Sequence, residues 1–267
     1  MDGDGDFRSE ECVELLKEAD IVATNPPFSL WREYIVQLVE YDKKFIILGN
    51  MNAVTYKEVF PLFKNNEIWF GHRPMSSQFL FEVPDDYEHE RVDDDGRKLK
   101  SMNASWYTNL EVNKRHEELV LTRFYEGNEE HYPKYDNYEA IEVGRVKEIP
   151  IDYDGVMGVP ITYLGKHDPE QFDIIGMTDG RKEFEDPRSW PSKKYVNAIQ
   201  HNKDGTTTNG SKTNTGAAIL LDEMPENAIY YTADNVDGSL KRLYRRILIV
   251  NKKPVSRKEV EEKHQMS

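Results

Sequence analysis

Short apolar runs separated by charged stretches set the rhythm of the chain. Ile21-Val22-Ala23 is an apolar, β-branched run of the kind expected of a strand buried on both faces, and it stops at Asn25-Pro26-Pro27-Phe28. On either side the polar and apolar spacing predicts helices, one over residues 10–18 with Asp6 or Ser9 as its cap and one over residues 30–41 capped by Ser29. Residues 45–49 predict a second buried strand, 56–65 a helix and 68–71 a third strand. This alternation predicts neighbouring parallel strands joined by right-handed crossovers. Residues 78–83 alternate as a strand, 85–100 form a charged, hairpin-like insertion turning at Asp95-Gly96, and 104–108 form another strand that leads to Asn109.

The character changes near Ile149. Short strands are predicted over 156–164, 172–177, 217–221, 228–232 and 243–250, with no helical period between them. Residues 203–216, KDGTTTNGSKTNTG, bury too little to order themselves and are expected to be mobile. The division expected is therefore 1–150, an α/β unit; 151–250, a β-rich region; and 251–267, a polar tail. Tyr132, Tyr135 and Tyr138, with Lys134 among them, either pack over a sheet edge or stack on bases. Arg115 and His116 are expected on an exposed surface.

Composition narrows the function classes. The net charge of −14 over 267 residues argues against a chain built to grip nucleic acid without preference. Local cations at Lys193-Lys194 and from Lys241 to Arg246 are equally compatible with solvated surface and with a DNA-facing patch. The one cysteine, Cys12, rules out an internal disulfide framework and suits a reducing cytoplasm; it is expected to be a small buried residue. Cys and His are too scattered to suggest a zinc cluster, and no segment approaches the length of a membrane span.

The chemistry concentrates at Asn25-Pro26-Pro27-Phe28. Neither proline offers an N–H, and each restricts the residue before it to extended conformations, so the chain leaves its strand as a stiff loop. Such loops at the carboxyl ends of strands are where open α/β sheets place their sites. The Asn25 side chain and the Pro26 carbonyl are two fixed acceptors suited to an amino group whose lone pair must be freed, and Phe28 offers a flat face for a planar base or amide. A structural strand-to-helix turn is the other reading of the same residues.

Asn25-Pro26-Pro27-Phe28 resembles the catalytic (N/D)-P-P-(Y/F) motif of amino-methyltransferases that use S-adenosylmethionine (AdoMet). The wider stretches 5–35, 45–62 (FIILGNMNAVTYKEVFPL) and 152–164 (DYDGVMGVPITYL) resemble the EcoRI-type adenine-specific DNA methyltransferases. The four-residue motif alone does not choose between DNA, RNA and protein-glutamine methylation; the flanking stretches do. The resemblance implies an α/β, Rossmann-like AdoMet-dependent methyltransferase sheet with a β-rich carboxy-terminal region used for DNA recognition.

It also implies roles for residues. Asn25, Pro26, Pro27 and Phe28 would form the catalytic loop, acting without a metal on an adenine flipped out of double-stranded DNA. Asp6 and Phe7 stand where the family binds the adenine end of AdoMet, an ionised carboxylate suiting the exocyclic amine. Asn50 would line the cofactor or base pocket, or cap its own loop. The family carries a Gly-rich turn ahead of Asp6-Phe7 that holds the methionine end, and six residues before Phe7 cannot form it. Residues 172–180 offer a strand followed by glycines but no G-x-G. The expectation is an amino-terminally incomplete sheet that associates with itself or with a companion amino-terminal fragment, or else an inactive scaffold.

Overall fold

The computed structural model describes residues 5–71, 79–180, 182 and 185–265. The start of the expected strand at Gln78 lies outside the described residues. The chain is a mixed α/β protein of two compact units, 1–116 with 164–166, and 117–163 with 167–267. Ile149, where the sequence changes character, lies inside the second.

In the first unit the elements are α1 (Glu10–Glu18), β1 (Ile21–Thr24), α2 (Trp31–Glu40), β2 (Lys44–Asn50), α3 (Phe60–Lys64), β3 (Trp69–Phe70), β4 (Phe79–Glu82), β5 (Arg91–Val92), β6 (Lys98–Met102) and β7 (Ala104–Thr108). Ser9 caps α1 by accepting from the Cys12 N–H. β1 and β2 are parallel, Ile21 opposite Lys44 and Thr24 opposite Ile47, so their carboxyl ends lie side by side.

The sheet order is β1-β2-β7-β3, which corrects two expectations. β7 returns antiparallel between β2 and β3, so the third strand is not the neighbour of the second. β1 is a terminal strand with one partner among the described residues, and Ile21 is 55% exposed. An apolar run of this length does not distinguish a central strand from an edge.

The second helix differs too. Ser29 does not cap α2: its amino-terminal cap is Leu30, with no side-chain hydrogen bond, and the chain enters through a turn closed by the Leu30 N–H on the Pro27 carbonyl at 3.0 Å. Residues 56–65 are not one helix. A 3-10 turn, Met51–Thr55, comes first, and α3 starts only at Phe60, where Pro61 needs no N–H partner.

α2 buries Trp31, Ile35 and Leu38, one stripe at i, i+4 and i+7, each contributing about 1.5–3 kcal/mol on full burial. The Trp31 Nε1–H donates to the Leu48 carbonyl at 3.0 Å, and the indole meets Tyr107 edge-on at 4.6 Å. Gly49 leaves the space this requires: a Cβ there would lie 2.5 Å from the indole. The charged insertion folds as the three-stranded sheet β4-β6-β5, its turn running through Gly96 at φ +78°. Arg115 is not exposed; its guanidinium lies 3.7 Å from the Trp69 ring centroid.

The second unit carries β8 (Ile141–Glu142), β9 (Val156–Pro160), β10 (Phe172–Met177), β11 (Ile199–His201), β12 (Thr207–Asn209), β13 (Ala218–Leu221), β14 (Tyr230–Thr232), β15 (Ser239–Arg242), β16 (Arg246–Asn251) and α4 (Arg257–Gln265). They form a four-stranded sheet, β10-β16-β9-β8, and a five-stranded sheet, β12-β11-β14-β15-β13. Tyr135 and Tyr138 are buried against Val156, Leu243 and Leu248, so the aromatic stretch packs inward. Among the described residues no helix is long and apolar enough to cross a membrane.

Residues 203–216 are ordered rather than mobile. β12 pairs with β11, the Gly210 N–H donates to Ala198, and Thr213 is buried, so backbone pairing supplies what the side chains lack. The expected polar tail contains α4, opened by a capping box in which Ser256 and Glu259 bond each other's backbone N–H.

Candidate active site

The loop after β1 and the segment before α1 come together. Gly5, Asp6, Phe7, Thr24, Asn25, Pro26, Pro27, Leu30 and Tyr34 line a cleft of about 470 Å³. Asn25 is exposed at its mouth and Pro26 is buried in its wall. Among the described residues no donor reaches the Asn25 side chain or the Pro26 carbonyl, whereas the Pro27 carbonyl is taken by Leu30. The two acceptors therefore stand together on a loop that Pro26, Pro27 and the turn behind them stiffen.

A second face of α2 positions Asp6 and Phe7. Leu30, Glu33, Tyr34 and Gln37 share that face at three- and four-residue spacing. Tyr34 meets the Phe7 ring edge-on at 5.1 Å, and the Gln37 amide donates to the Phe7 carbonyl at 3.2 Å. Arg8 spans the gap, donating to Glu33 at 3.0 Å and to both carboxylate oxygens of Asp6 at 2.9 and 2.6 Å. Those bonds hold the Asp6 carboxyl down at about 2, so above that pH it is an acceptor only. Burial raises the Tyr34 hydroxyl above its ordinary value and keeps it protonated.

Phe28 does not line this cleft and is 39% exposed. Asn50 caps its own loop, its Oδ1 accepting from Asn52 at 2.9 Å, and is not a wall of the cleft. Sequence reasoning missed Tyr34, Gln37 and Arg8. The signal was present as a second stripe on α2, but a helix amphipathic toward one sheet conceals a polar face that serves another segment. Gly176 lies within β10, which leads to a turn at Gly180 with φ +78° and, among the described residues, to no α-helix before β11.

Arg8, which is bound to Asp6, is not one of the cleft's walls, and among the described residues none of the walls is cationic. The cleft therefore offers a carboxylate, an aromatic ring and an amide.

Comparisons with known proteins place the sequence in a family. The family described as "Adenine-specific methyltransferase EcoRI" matches residues 1–252. Over 183 residues, 67% of this chain and 56% of the relative, the sequence is 56% identical to Type II methyltransferase M.EcoRI of Escherichia coli. Over 180 residues, 65% of this chain and 56% of the relative, it is 43% identical to Type II methyltransferase M.MpnI of Mycoplasma pneumoniae. The chain thus spans a little over half the length of the curated relatives it matches. No solved structure matches it. With the family matched along nearly all of its length, the chain belongs to the EcoRI-type adenine-specific methyltransferases.

Proposed function

We propose that this chain carries the catalytic loop and the adenosyl-binding half of an AdoMet-dependent DNA methyltransferase acting on the N6 amino group of adenine, on a Rossmann-like sheet. The observation that carries the reading is the single cleft joining Asn25 and Pro26 to Asp6 and Phe7. AdoMet, when bound, supplies an electrophilic methyl group on a sulfonium. Asp6 would accept from the adenine amine of the cofactor, with Phe7, braced by Tyr34, against the purine.

Adenine N6 is a poor nucleophile because its lone pair is delocalised into the ring, and the target must leave the duplex before side chains reach it. The Asn25 Oδ1 and the Pro26 carbonyl would accept the two amino hydrogens. This localises the lone pair and stabilises the positive charge that builds on nitrogen as it gains the methyl carbon, before one proton passes to solvent. Phe28, exposed beyond the cleft, would stack on the flipped base. Holding both reactants on one stiff loop supplies a further part of the acceleration.

A second element of the reading is that the methionine end of the cofactor is held by a Gly-rich half supplied from a companion segment. β1 has one partner among the described residues, and Ile21 is 55% exposed, so a further strand and helix have an edge and an apolar face to join. Calorimetric titration tests this. The 267-residue chain alone is expected to bind AdoMet weakly, and a fragment carrying the Gly-rich turn is expected to restore tight binding and transfer. Duplex DNA digested to nucleosides after that reaction should then contain N6-methyl-2′-deoxyadenosine. Tight binding by the chain alone would overturn the companion; a methylated cytosine, or methyl groups only in RNA or on protein glutamine, would overturn the substrate.

A further inference from the structure

Tyr244 is the most exposed of the fifteen tyrosines, at 85%. It is the centre of the three-residue connection between β15 and β16, and both sides of that connection are anchored. Leu243 is buried in the core, and its N–H donates to the Ala217 carbonyl at 2.8 Å. On the other side Arg246 exchanges hydrogen bonds with Thr178, at 2.9 Å each way. Its guanidinium grips the buried Glu142 carboxylate at 2.7 and 3.0 Å. The ring is thus held out on a rigid tip, and its freedom is already restricted before any partner arrives.

Exposed cations lie near it along the chain. Arg245 is exposed beside it and Lys241 on the preceding strand. Arg242 donates to the Lys212 carbonyl at 2.8 Å and to the Thr215 hydroxyl at 3.2 Å, which draws the loop bearing exposed Lys212 alongside. From Ser239 to Lys258 there is no acidic residue, in a chain of net charge −14. A lone exposed apolar residue needs no explanation, but an anchored aromatic among cations in an otherwise acidic protein does.

We infer that Tyr244, with Arg245, Lys241 and Lys212 around it, is a nucleic-acid contact: the ring stacks on or wedges against a base step of duplex DNA while the cations lie on its phosphates. The inference rests on the reading of the chain as a DNA enzyme and adds a contact that the catalytic loop does not provide. The test is fluorescence anisotropy with a labelled random-sequence duplex, without cofactor, using the full chain. Tyr244→Ala should weaken binding roughly 5- to 100-fold. Tyr244→Trp should retain it, and thermal unfolding should be unchanged in both because the ring packs on nothing. Arg245→Ala should flatten the slope of log affinity against log salt by about 1. Wild-type affinity in Tyr244→Ala overturns this assignment alone. Absence of duplex binding by the wild-type chain, or stronger binding to phosphatidylglycerol vesicles than to duplex, overturns it together with the DNA reading. N6-methyladenine production in the companion-fragment assay decides the catalytic reading separately.

Discussion

At the scale of single residues, the candidate chemistry is two oxygen acceptors and the backbone that fixes them. The Asn25 side chain and the Pro26 carbonyl are unclaimed by donors among the described residues, while the adjacent Pro27 carbonyl closes the turn to Leu30. That division of labour argues for a pair of acceptors kept for a ligand rather than for the loop's own stability. Asn25→Ala should lower the methyl-transfer rate about 100- to 1000-fold, the usual consequence of removing one donor or acceptor that meets developing charge. Because Asn25 is exposed, the thermal midpoint should stay where it is. Single-turnover kinetics on the reconstituted enzyme measure the first and calorimetry the second; near wild-type turnover would rule out the acceptor role.

At the scale of elements, α2 does two jobs with two faces. Trp31, Ile35 and Leu38 fix it to the sheet, and Leu30, Glu33, Tyr34 and Gln37 hold the segment bearing Asp6 and Phe7 against the loop after β1. The position of the second face depends on the seat of the first. Gly49→Ala puts a methyl 2.5 Å from the Trp31 indole, and the indole must move or give up its bond to Leu48. Overpacking of this kind costs about 1–3 kcal/mol, read as a lower denaturant midpoint. A shift of α2 that follows from this should weaken adenosine binding to the cleft, although Gly49 lines none of it. Unchanged stability would mean that the indole relaxes freely and that the helix is not seated by it. The cations of the second unit divide in the same way. Arg246 is ion-paired with buried Glu142 and Lys193 with Asp136 at 2.7 Å, while their neighbours Arg245 and Lys194 are exposed.

For the whole molecule, the common feature of the two units is buried tyrosine. Burial raises the hydroxyls of Tyr107 in the first unit and of Tyr135 and Tyr163 in the second well above their ordinary value, and pushes Tyr138 up to about 12. In the unfolded chain these groups lose their protons near pH 10. Since the folded values are higher, the stability they contribute is complete below pH about 10 and is lost as the pH climbs toward about 12. Alkaline titration should therefore show phenolate absorbance and loss of circular dichroism rising together. Phenolate from the buried set forming with structure intact would contradict the burial.

The sequence by itself determined many of the local elements and singled out the loop at which the chemistry is proposed. The run Ile21 to Phe28 reads as strand, stiff loop and acceptor pair, because proline geometry and side-chain chemistry are local properties. α1, β7 and β10 were equally legible, since their caps and periodicities lie within a few residues. What only the tertiary structure decided is which strand neighbours which and which polar residues meet. β7 separating β2 from β3, β1 standing at an edge, and the ordering of residues 203–216 by pairing with β11 all depend on partners distant in sequence. The same holds for Arg8, Tyr34 and Gln37, which brace the segment before α1 only once α2 has turned its second face to it. A helix's buried stripe is set by the period of its own side chains; what its other face touches is set by the rest of the fold.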